Sequence, residues 1–152
     1  MRKLYRLALC LTALLVVGVG LLLLRNYQMD AGGRAIKEGN GVVALEKLKP
    51  LAYFGDKTAQ LLMGEIYALG LGGVTKNDTE AIYWFRRCGP IVASADEKDA
   101  DPAASHELSV AKAYASGNQG VKADPVESAK WLRLAAEGGS KEAAMIAKSQ
   151  LH

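Results

Sequence analysis

Residues Tyr67–Phe85 read YALGLGGVTKNDTEAIYWF, and Tyr114–Leu132 read YASGNQGVKADPVESAKWL. Laid over each other at an offset of 47 residues, they match Tyr67 with Tyr114, Gly70 with Gly117, Gly73 with Gly120, Val74 with Val121, Glu80 with Glu127 and Trp84 with Trp131. These six identities at one offset mark an internal repeat, and a repeat decides the architecture before any local pattern does. A second pair, Gly55–Leu62 and Gly139–Ile146, is displaced by 84 residues. The two offsets fit a unit of 37 residues with ten more inserted in the Pro-, Ala- and acid-rich stretch Pro90–Ser105.

Each unit reads as two helices. In the first, Ala59, Leu62, Met63, Ile66 and Tyr67 recur at spacings of three and four, which gives one apolar face. Gly70–Gly73 ends that helix, because glycine adopts the left-handed conformation a helix terminus needs. Asn77 with Glu80, and Asp124 with Glu127, have the capping-box spacing, and Pro125 stands at the first helical position. The second helix carries Ala81, Trp84, Phe85 and Cys88 inward, matched by Ser128, Trp131, Leu132 and Ala135. Upstream, Ala44–Gly55 fits the second helix of an earlier unit, with Ala44, Leu48, Leu51 and Ala52 inward and Pro50 as a point of kinking or lost stability. Its first helix is expected over about 30–38, ending at Gly39-Asn40-Gly41. Downstream, Lys141–Leu151 supplies a last helix that caps the open end. No stretch has a strand pattern.

Ahead of these units stands Leu7–Leu24, LALCLTALLVVGVGLLLL, an uncharged run of 18 residues. As a helix it measures about 27 Å, close to the hydrocarbon thickness of a bilayer. It ends in four leucines, Arg25 and Asn26, without the small-residue site of a cleaved signal, and Cys10 lacks a lipoprotein context. An uncleaved membrane anchor is therefore expected, with a cleaved periplasmic form as the alternative. The short basic tail with Arg2, Lys3 and Arg6 favours a cytoplasmic N-terminus, a single pass through the inner membrane and a periplasmic C-terminal domain. Charge follows the same division. The formal net charge of +3 comes from 19 basic and 16 acidic residues; setting aside Arg2, Lys3, Arg6 and Arg25 leaves 15 basic against 16 acidic. The soluble part is nearly neutral and offers no basic stripe for nucleic acid.

The repeat pattern resembles the Sel1-like repeat family, relatives of the tetratricopeptide repeats. Tyr67, Gly70, Val74 and Trp84 carry the signature in the first full unit, and Tyr114, Gly117, Val121, Asp124 and Trp131 in the second. The departures are Ala111 in place of the helix glycine, Ser128 in place of the inner alanine, one extra residue in both glycine loops, and Cys88-Gly89-Pro90 in place of Ala-Ala. The resemblance implies a short α-solenoid of Sel1-like helical hairpins, so that with the apolar run read as an N-terminal transmembrane helix the expected fold is all-α. The expected organisation is a basic tail and anchor over 1–26 and a repeat domain over 27–152. Within that domain the divisions are a partial unit at about 29–55, a unit at 56–90, an acidic insertion at 90–104, a unit at 105–139 and a capping helix at 140–151.

No HExxH, GxSxG or CxxC pattern is present, and His106 and the terminal His152 are the two imidazoles. One internal histidine without converging ligands reads as an ordinary surface residue, so no catalytic residue, metal or cofactor is expected. GLGGVTK follows a helix rather than a strand and reads as a structural turn. Cys88 reads as a small buried hydrophobe, and the acidic run Asp96, Glu97, Asp99 and Asp101, with Lys98, as a solvated loop. Stacked hairpins present a concave face formed by the first helix of each unit, a surface suited to polypeptides. Its polar positions outside the core pattern are Gln60, Glu65, Glu107 and Lys112, the candidate partner residues. What the resemblance implies is a non-catalytic scaffold or adaptor that binds another protein or peptide. The alternatives are an immunity protein that neutralises a secreted antibacterial toxin such as a lipase and, from another class, a cell-envelope enzyme or enzyme regulator.

Overall fold

A computed structural model describes residues 2–90 and 100–149. All regular structure among them is helical: α1 Arg2–Lys37, α2 Gly41–Tyr53, α3 Lys57–Leu69, α4 Asp78–Cys88, α5 Ala104–Ser116, α6 Pro125–Glu137 and α7 Lys141–Ser149, with one 3₁₀ turn at Leu71–Gly73. Consecutive helices pack in hairpins, α1 on α2, α3 on α4 and α5 on α6, with α2 against α3 and α6 against α7 carrying the stack onward.

The caps fall where the sequence places them. Asn77 accepts from the Glu80 amide, and Asp124 from the Val126 and Glu127 amides, so each second helix has a satisfied first turn. Asn40 and Asp56 do the same for α2 and α3. Gly70 and Gly117 close α3 and α5 in the left-handed region, at φ 65° and 69°. Helix α2 runs through Pro50 without ending. Both Pro50 and Glu46, whose carbonyl loses its helical donor, lie on an exposed face, outside the closed core.

Adjacent residues on α4 divide the core. Trp84 is buried with Ala44, Leu48, Ala52, Ala59, Met63 and Ile66, in a cluster that joins α2 to the first full unit. Phe85, its neighbour in sequence, belongs to the next cluster with Ala68, Leu69, Tyr114, Trp131 and Leu132, which joins the first full unit to the second. Each unit thus buries its apolar surface only against its neighbours, the quasi-one-dimensional arrangement of a solenoid. A buried hydrogen bond crosses the same junction, where the Tyr114 hydroxyl donates to the Ala68 carbonyl at 2.9 Å. That carbonyl lies in the last turn of α3, where the helix supplies no donor.

The departures from the repeat pattern have local reasons. At Gly64 a Cβ would overlap the Phe85 ring. At the equivalent sites of the next unit Ala111 stands with Leu132, a larger helix residue with a smaller partner, both buried in one cluster. Ser128, in place of alanine, donates its hydroxyl to the Ala111 carbonyl at 2.9 Å, so its polar atom is satisfied in the core.

Helix α1 passes the expected boundary at 26/27 without a break. Its last third is the first helix of the partial unit. Ala35 is buried in the first cluster, Met29 and Ile36 pack on it, and Gly32 lies so close to Leu48 that a Cβ would overlap that side chain. The earlier stretch faces outward, with Leu14, Leu15 and Val16 about 70% exposed. Over Leu9–Lys37 the helix is long and apolar enough to be a membrane span or a signal sequence.

Candidate functional site

Of the four candidate partner residues, the structure leaves two accessible. Gln60 is 2% exposed, and its Nε2 donates to the Ala52 carbonyl at 2.8 Å, satisfying an acceptor in the last turn of α2. Glu107 is 4% exposed at the start of α5. Both are therefore withdrawn as partner contacts: helical spacing places them on polar positions, but the neighbouring hairpin covers them. Lys112 is exposed on α5 and pairs with Glu142 of α7 at 2.7 Å. Glu65 is half-buried, and burial pushes its carboxyl above the usual range.

Glu65 lies in an open groove of about 580 Å³, lined by Ile36 from α1, Leu69 from α3, Leu71 and Gly72 from the first glycine loop, and Gln119 and Gly120 from the second. Three successive units contribute to it, and its walls are mostly apolar. Lys112 is not among its lining residues. Gln119 holds a left-handed conformation at φ 55°, the position at which the preceding unit has Gly72 at φ 58°. At Gly72 a Cβ would collide with the Gly41 backbone, so that loop requires glycine for space as well as for conformation. The second loop puts a long side chain there and retains the backbone strain of a non-glycine residue, on the order of 1–2 kcal/mol.

The signature residues have structural roles. Tyr67 packs against both clusters, Val74 on the first and Val121 on the second, while Trp84 and Trp131 fill the junctions between units. Lys76 and Lys130 both meet the Glu127 carboxylate, at 3.3 and 2.7 Å, and Lys130 also meets Asp78 at 2.8 Å, stitching α4 to α6 on the surface.

His106 departs from its sequence reading. Instead of lying on the surface it is 2% exposed, stacked on Phe85 at 5.1 Å between ring centroids, with Nε2 at 2.6 Å from the Gly89 carbonyl. Burial holds its pKa below the usual value, so it is a neutral core ring. Beside it, Arg86 clasps Asp101 at 2.7 Å, and Asp101 accepts from the Ala103 amide ahead of α5. Asp96, Glu97, Lys98 and Asp99 lie outside the described residues. Burial and, next, the Asp101 charge push Glu107 up to about 7, with Arg86 opposing and Glu137 reinforcing the shift. The folded state therefore holds a proton that the unfolded chain releases near the ordinary glutamate value of 4.5, and stability is lost as pH rises from there through about 7. Glu107→Gln should flatten that decline, raising the melting temperature above pH 7 and changing little below pH 4.5; thermal unfolding at both extremes checks it.

The described residues contain no group of three or more His, Cys, Asp or Glu arranged to hold a metal. Cys88 donates its thiol to the Lys57 carbonyl at 3.3 Å, and burial raises its pKa, which opposes a reactive thiolate. The Sel1 repeat model matches two places in the chain, residues 57–87 and 102–140, which are the α3–α4 and α5–α6 hairpins. Neither a curated protein nor a solved structure matches the chain. Sel1 repeats in general mediate protein–protein interaction, and that is the kind of domain the two matched stretches indicate.

Proposed function

We propose that this chain is a protein-binding adaptor anchored in a membrane by α1, with the groove around Glu65 as its partner site. The observation that carries the reading is a half-buried carboxylate in an apolar groove assembled from three units. Such a groove suits a peptide or loop with an apolar side chain for the walls and a Lys or Arg for the carboxylate, since a nearby cation would offset the cost that burial imposes on the Glu65 charge. The basic tail favours a periplasmic repeat domain on an inner-membrane anchor. An immunity role would use the same groove, with a secreted toxin such as a lipase as the occupant.

Capture of proteins from solubilised membranes on the full-length chain tests the site. Glu65→Arg should reduce recovery of the bound protein about tenfold or more, equivalent to at least about 1.4 kcal/mol. Val126→Arg, at an exposed position on α6, should leave it unchanged. Equal recovery by both variants rules the groove out.

A further inference from the structure

A second groove, of about 520 Å³, lies where the apolar stretch of α1 meets the turn between α2 and α3. One wall is Leu21 and Leu24, the outer end of the apolar run; the other is Pro50, Leu51 and Phe54. Phe54 ends α2 and is 92% exposed, with no core contact to explain an aromatic ring there. Arg25 ties the turn to α1 through its Nε, 2.6 Å from Asp56 Oδ2, so the carboxylate nearest the apolar run is neutralised. Asp56 also caps α3, which fixes the turn relative to both helices.

From Leu21 to Arg25 is about 6 Å along a helix. That brings the turn to the depth at which amphipathic elements insert, roughly 5–10 Å into the boundary between headgroups and acyl chains. We propose that Phe54 and its turn insert into the bilayer beside the membrane-spanning helix, so that an acyl chain fills the groove and the repeat domain is seated on the membrane rather than swinging from it. The occupant follows from continuity: Leu21 and Leu24, two of the groove's nine lining residues, belong to the apolar surface that α1 presents to lipid, and Pro50, Leu51 and Phe54 extend it. This inference rests on α1 being a membrane span, and it adds a contact outside that span.

The test is quenching by brominated phosphatidylcholine of full-length Phe54→Trp reconstituted in vesicles, with the wild-type chain, whose two Trp are buried, as background. Val126→Trp serves as the exposed control. An alkaline carbonate wash first reports whether the chain is embedded. With the chain retained, quenching of Trp at 54 should be at least about twofold that at 126, given the depth expected for an inserted turn. Equal quenching in a retained chain overturns the seated turn and leaves the anchor standing. Release by carbonate removes the anchor and the proposal together.

Discussion

Trp84→Ala is expected to destabilise the repeat domain by about 3–5 kcal/mol, the range for removing a large buried aromatic. Trp84 is 1% exposed, meets Tyr53 and Tyr83 edge-on at 5.2 and 5.0 Å, and closes the junction between the partial unit and the first full unit. A domain of this size has on the order of 5–15 kcal/mol in total, so the loss should uncouple that junction. Its indole N–H has no protein acceptor among the described residues, and its contribution is therefore ring area; Trp84→Phe should keep most of the stability. The Ala variant retains Trp131 as the remaining tryptophan, which reports on the other junction. Denaturant unfolding should then show α1 and α2 released before the Trp131 transition. A loss below about 1 kcal/mol, well under the buried-aromatic range, would contradict the assignment of Trp84 to the junction.

The second large effect lies at Gly64. Gly64→Ala should cost about 1–3 kcal/mol, because the added methyl falls within the Phe85 ring and the core around it is closed. Phe85→Leu should relieve it, since the following unit already uses the Ala111 and Leu132 combination. The double variant is then expected to be about as stable as Phe85→Leu alone, giving a coupling equal to the full cost of Gly64→Ala, about 1–3 kcal/mol, in a double-mutant cycle. Additive losses would show that Gly64 and Phe85 do not share one space.

The hairpins were legible because their signals are local. Gly70 and Gly117 stop helices, Asn77 and Asp124 start them, and apolar residues at helical spacing face inward. The continuity of α1 was less so. Asn26 and Asp30 are cap-type residues, Gly32-Gly33 could end a helix, and the change in composition reads as a boundary, yet the packing of Gly32 and Ala35 on α2 shows the same helix serving both parts. Burial of Gln60, His106 and Glu107 depends on which neighbouring hairpin covers each helix face, and no local pattern records that. A buried polar residue at a solvent-compatible position looks the same in sequence as an exposed one. The groove residue Gln119 did carry a signal: it replaces the glycine that the preceding loop has at Gly72.

The most direct test of the partner site is photo-crosslinking in native membranes, with a benzophenone side chain placed in the full-length chain at position 119 on the groove wall, which leaves Glu65 in place, and, separately, at position 126. A protein adduct of one defined mass should form from position 119 and be absent from 126. No protein adduct from position 119, or the same adduct from both positions, would contradict a partner seated in the groove.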